Sequence, residues 1–238
     1  MSQRFAELAW ATTRIGEISL RRRLEPVTRQ EIFEVKLDEE FLMSSMFTAA
    51  EQAMADLALD WLDTDDAAVL VGGLGLGYTA VAALRHRGVA RVDVVETLQP
   101  VVDWHRDELL PCSAELVGDP RTTLVLADFF AVVAGTEHAP ALAPPYDCVL
   151  LDIDHAPDFV LAESHERFYS PAGLARLRGL LSDEGVFALW SDRPPEPVFT
   201  QVLDGVFART RAEVVRFPNP LTGGTSTNTV YLGRGLTG

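Results

Sequence analysis

Residues 69–80 read VLVGGLGLGYTA, an apolar strand that ends in Gly72, Gly73, Gly75 and Gly77 and passes straight into a helical pattern. Glycines in such a turn let the backbone approach a ligand closely, and the helix N-terminus beyond them offers N–H groups that have no helical partner. Tight packing of helix on strand also calls for glycine, so the turn takes its meaning from what surrounds it.

Downstream the alternation repeats. AAVLVG precedes YTAVAALRHR, RVDVVE precedes QPVVDWHRDELL, and TTLVLA precedes DFFAVVAG; then come YDCVLLDI, PAGLARLRGLL, VFALWS and EPVFTQVLDGVF. Near-continuous apolar runs alternating with amphipathic ones predict a doubly wound α/β fold, a mainly parallel sheet covered on both faces. The last two strand-like runs, AEVVRFPNP and TNTVYLGR, are joined by PLTGGTS with no helix between them, so the chain closes on a hairpin with one antiparallel strand and the sheet has seven strands.

Upstream, IGEISLRRR, EIFEVKL and FLMSSMF predict a small antiparallel β unit within residues 1–47, ahead of an α/β nucleotide-binding domain over 48–238. Thr48, with Glu51 three residues on, reads as the capping box of a helix over TAAEQAMADLALDWL.

Open α/β sheets bind ligands beyond the carboxyl ends of their strands, and polar residues stand at several of those ends. Glu96 closes the second strand, 24 residues after Gly72, where an acid meets ribose hydroxyls. Asp128 and Phe129 close the third, an acid for an adenine amino group and a ring to cover the base. Both acids also suit helix N-termini. The fourth strand delivers Asp152, Asp154 and His155, candidates to hold an ammonium or take its proton. Phe168, Tyr169, Trp190, Ser191 and Asp192 are further candidates at the same edge.

A dinucleotide site would want G-x-G-x-x-G, but counted from Gly73 the third glycine falls at Tyr78, and no G-x-x-x-x-G-K-[ST] is present. A phosphate-free adenosyl ligand accounts better for the acids at 96 and 128. The five histidines lack metal-ligand spacing, and no G-x-S-x-G marks a serine nucleophile.

With 35 acidic against 20 basic residues and a formal charge of −15, the chain repels nucleic acid and anionic lipid. No run approaches the ~18 apolar residues of a membrane span, and the N-terminus lacks the basic and apolar regions of a secretory signal. Cys112 and Cys148 have no paired spacing, which fits a reducing, cytoplasmic setting.

The order of these pieces resembles the spermidine synthase family, within the class I S-adenosylmethionine-dependent methyltransferase (Rossmann-like) fold. IGEISLRRR with EIFEVKLDEEFLMSSMF is similar to its N-terminal β unit. VGGLGLG, Glu96, DPRTTLVLADFF and the acidic turn after YDCVLLD are similar to its nucleotide site. The resemblance implies that Gly72, Gly73, Gly75 and Gly77 contact the methionine-derived portion, Glu96 the ribose and Asp128 the adenine. It also implies S-adenosylmethionine or its decarboxylated form as cofactor, a small amine as acceptor, and a homodimer.

Two departures qualify it. Aminopropyltransferases carry D-E-x(n)-Y-H-E after the β unit, and this chain has neither that tyrosine nor that histidine. They also carry D-x-x-D after the fourth strand, where this chain has Asp152, Asp154 and His155. Methyl transfer is the expectation, with aminopropyl transfer and a non-catalytic nucleotide-binding module as alternatives, and a dehydrogenase as a third.

Overall fold

A computed structural model describes residues 5–62 and 64–236. Four strands open the chain, β1 (Phe5–Thr13), β2 (Gly16–Leu24), β3 (Glu31–Leu37) and β4 (Glu40–Ser44), and pair antiparallel in sequence order. The first was not legible in the sequence. It is an edge strand of half-exposed Ala, Glu and Leu, with a register break between Glu7 and Ala9, and so lacks a buried β-branched face.

The helix α1 (Ala49–Leu59) then leads into a seven-stranded sheet. Its strands are β5 (Ala67–Gly72), β6 (Val89–Glu96), β7 (Thr122–Leu126), β8 (Tyr146–Leu151), β9 (Leu181–Ser191), β10 (Phe207–Asn219) and β11 (Gly224–Leu236). The spatial order is β10-β11-β9-β8-β5-β6-β7. Pairings from β7 through β9 are parallel, and β11 runs antiparallel to both neighbours, as the helix-free tail predicts. The order reverses at β5 and β8, which places a crevice beyond Gly72 and Leu151.

Period-two alternation splits the core between the two faces. Val69, Val71, Cys148, Leu150, Val186 and Ala188 pack on one side with α1, α2 (Tyr78–Arg85) and α3 (Gln99–Arg106). Leu70, Val149, Leu151, Phe187 and Leu189 pack on the other with α5 (Phe129–Ala134), α6 (Pro171–Arg178) and α7 (Pro197–Asp204). Ile18, Leu20 and Val35 of the N-terminal sheet join the first of these clusters, so the small sheet is seated on the α1 side.

The third helix is shorter than its pattern. It stops at Arg106 because Glu108 adopts a left-handed φ of +54° and Pro111 follows, and a separate α4 (Ser113–Gly118) begins beyond. Both cysteines are free and buried. Among the described residues no helix is long and apolar enough to cross a membrane.

Candidate active site

The glycine loop is built by close approach. Gly73 has φ +95°, and a Cβ there would lie 2.2 Å from the Asp152 carbonyl oxygen, so only glycine lets β5 and β8 end side by side. Gly77, φ +90°, caps α2, and its missing Cβ would stand 2.9 Å from His105 Cε1. Gly75 also has positive φ, while Gly72 packs over the Phe129 ring.

Glu96 fastens this loop to the next. Its Oε2 accepts from the Leu74 N–H at 3.2 Å and its Oε1 from the Leu98 N–H at 2.8 Å. Burial pushes its pKa up, against the pull of those amides. Asp128 is the N-cap of α5, its Oδ1 accepting from Phe130 and Ala131. Its Oδ2 stands 3.8 Å from the guanidinium of Arg14, which also donates to Thr97 Oγ1. Phe129, 2% exposed, faces the core against Phe168 and does not line the cleft.

A cleft of about 510 Å³ opens where the glycine loop, β4, α1 and the ends of β8 and β9 meet. Gly75, Gly77, Asp152 and His155 line it, as do Glu51, Trp190, Asp192 and Phe217. Phe168 and Tyr169, by contrast, are buried in the core.

Asp152 accepts from Thr79 Oγ1 at 2.6 Å. Burial raises its pKa to about 6, with the Thr79 bond opposing. Glu51 is pushed further, to about 8, by burial and then by the charge on Asp152. Near neutral pH the two therefore hold one proton between them: Asp152 gives its proton up first and Glu51 keeps the other.

The capping box expected of Thr48 and Glu51 forms only in part: Thr48 holds the N-cap position of α1, and the Glu51 carboxylate accepts from the Ala50 and Glu51 amides of the first turn. Thr48 makes no side-chain cap; its Oγ1 accepts instead from Gln52 Nε2 at 2.9 Å, and Glu51 faces the cleft. A signal was present, because Glu51, Ala55 and Ala58 share one stripe at helical spacing, and an acid on a stripe whose other members are buried alanines has a reason to be there.

Asp154 is 1% exposed and absent from the cleft lining. It accepts from the Leu161 N–H at 2.7 Å, pairs with His165 Nδ1 at 2.9 Å and accepts from Tyr169 Oη at 2.7 Å. Burial and the Asp154 charge hold the Tyr169 hydroxyl well above its usual pKa, so it stays a donor. His165 stacks on Phe130 with centroids 3.9 Å apart. Asp154 thus anchors the segment that follows it, which carries Leu161 to the cleft wall. Asp154→Ala, which strands buried donors, is expected to cost roughly 2–4 kcal/mol in urea denaturation.

His155 lies on the cleft side of the same turn, stacked on Phe159, with its carbonyl accepting from the Asp192 N–H at 2.8 Å.

Residues 48–207 match the model of the spermine/spermidine synthase domain. Putrescine N-methyltransferase 2 of Nicotiana attenuata is 37% identical over 84 residues, 35% of this chain and 21% of that protein. Polyamine aminopropyltransferase of Pyrobaculum islandicum is 30% identical over 141 residues, 58% of this chain and 46% of that protein. The matched stretch spans less than half of either relative. The crystal structure of spermidine synthase from Thermotoga maritima superposes with a TM-score of 0.73 at 16% identity, covering 97% of this chain and 74% of that one. At that identity the likeness is one of fold.

Proposed function

Because this chain belongs to the spermine/spermidine synthase domain family, we propose that it is an S-adenosylmethionine-dependent transferase that methylates a small amine held beside Asp152 and Glu51. The observation that carries this reading is the turn after β8, which presents one carboxylate, Asp152, and then His155 to the cleft, while Asp154 is buried among its own donors. The tail of either nucleotide carries an ammonium, and the decarboxylated one carries no group that a second acid would repel. The full methionine tail carries a carboxylate, which a second acid would repel and an imidazole tolerates.

The chain's residues fit such a nucleotide. Gly73 and Gly77 allow the tight turn between β5 and α2, which brings Gly75, Leu76 and Gly77 to the cleft wall. Glu96 and Asp128 stand at the successive strand ends where ribose and adenine are expected. When bound, the sulfonium supplies an activated carbon and a neutral thioether leaving group. The protein's part is then to orient the amine and receive its proton. Asp152 is placed for both, since its pKa near 6 leaves it ionised at neutral pH yet basic enough to accept. Protonated Glu51 beside it donates or accepts without adding a second negative charge. The rest of the rate comes from holding nitrogen and carbon in line.

Aminopropyl transfer is the second reading, favoured by the Pyrobaculum relative. The two separate on nucleotide preference. Wild-type protein is expected to bind S-adenosylmethionine more tightly than its decarboxylated form, and His155→Asp to shift the ratio about tenfold toward the latter. Wild-type preference for the decarboxylated nucleotide would instead establish aminopropyl transfer.

A further inference from the structure

His105 lies in the last turn of α3 with no solvent exposure, packed against Gly77 of the glycine loop. Its Nε2 is 2.9 Å from the Gly75 carbonyl oxygen, and its Nδ1 is 3.2 Å from Ser113 Oγ. A carbonyl only accepts, so Nε2 carries the hydrogen and Nδ1 is the lone-pair nitrogen. Ser113 then donates to Nδ1, and its own oxygen accepts from the Leu110 N–H at 3.3 Å. Every hydrogen in this chain of contacts has a place, and the imidazole is neutral with its tautomer set. Burial lowers its pKa, which keeps it in that form.

The consequence lies one bond away. A trans peptide points its C=O and its N–H in opposite directions, so drawing the Gly75 carbonyl toward His105 turns the Leu76 N–H away from α3, in a loop whose Gly75, Leu76 and Gly77 line the cleft. Glu96 already takes the Leu74 N–H, and the Gly77 N–H bonds back to the Leu74 carbonyl. The Leu76 N–H takes no partner among the described residues.

We propose that His105 is a positioning residue which, through Gly75, aims the Leu76 N–H at the carboxylate of the nucleotide's amino-acid tail. This rests on the nucleotide reading above and deepens it, because it names which loop donor meets the group that distinguishes the two candidate cofactors.

The test compares binding of S-adenosylmethionine, decarboxylated S-adenosylmethionine and methylthioadenosine to wild type, His105→Leu and His105→Gln. The Leu variant loses the donor, while Gln carries an N–H at about the reach of Nε2. His105→Leu is expected to weaken S-adenosylmethionine about tenfold or more, while the two ligands without a carboxylate stay within about threefold, and His105→Gln to recover most of the affinity for S-adenosylmethionine. Should His105→Leu fail to fold, Ser113→Ala, which frees the tautomer, is expected to produce a smaller loss of the same selectivity. Equal weakening of all three ligands, or none, would overturn the proposal by reducing His105 to packing. No binding of any of the three by wild type would instead defeat the nucleotide reading itself.

Discussion

Asp152→Asn is expected to reduce turnover by about a thousandfold while leaving nucleotide affinity within a fewfold of wild type. The amide keeps the volume and the bond to Thr79 Oγ1 but cannot take a proton from the incoming amine. The sign of the pH dependence follows from the same pair. Wild-type rate rises as pH passes through about 6, because the ionised carboxylate is the active form. Glu51→Gln provides the contrast: Glu51 holds its proton to about pH 8, so an isosteric amide is a close mimic at pH 7 and most activity survives there. Steady-state rates of the two variants from pH 5 to 9, with direct nucleotide titration, check both statements. Equal loss in the two variants would contradict the division of roles.

Gly73→Ala is expected to be the most damaging single change for the fold and for nucleotide binding together. The residue sits at φ +95°, and its new methyl would fall 2.2 Å from a backbone carbonyl oxygen, which cannot rotate away as a side chain can. Left-handed strain and the forced separation of β5 from β8 together cost roughly 3 kcal/mol or more. A lowered urea midpoint with loss of S-adenosylmethionine binding is the predicted result. Gly135→Ala, also at positive φ but with no atom within 4 Å of its missing Cβ, serves as the control, losing about 1 kcal/mol with binding intact.

The sheet was legible because it is buried on both faces. Val69, Leu70 and Val71 are apolar in succession and belong alternately to the two core clusters, which is what a doubly covered strand requires. The first strand escaped notice because an edge of Ala, Glu and Leu has no such signature. The glycine loop and Asp152 were legible as position, since strand order alone puts them at the crevice.

What one sequence could not reveal is the direction in which a side chain turns. Asp152 and Asp154 are two residues apart, yet Asp152 lines the cleft and Asp154 is taken up by Leu161, His165 and Tyr169, partners 7 to 15 residues away. Glu51 was hidden differently. Its capping-box spacing offered a local explanation, whereas its partner Asp152 is remote in sequence and becomes a neighbour only once α1 has packed beside β8.

The central claim is that an adenosyl sulfonium nucleotide binds at the glycine loop, and calorimetric titration of wild-type protein with S-adenosylmethionine, with NAD in parallel, tests it most directly. Saturable binding of S-adenosylmethionine at one site, abolished in Gly73→Ala and not reproduced by NAD, is the predicted result. Binding of NAD without S-adenosylmethionine, or of neither, would contradict it.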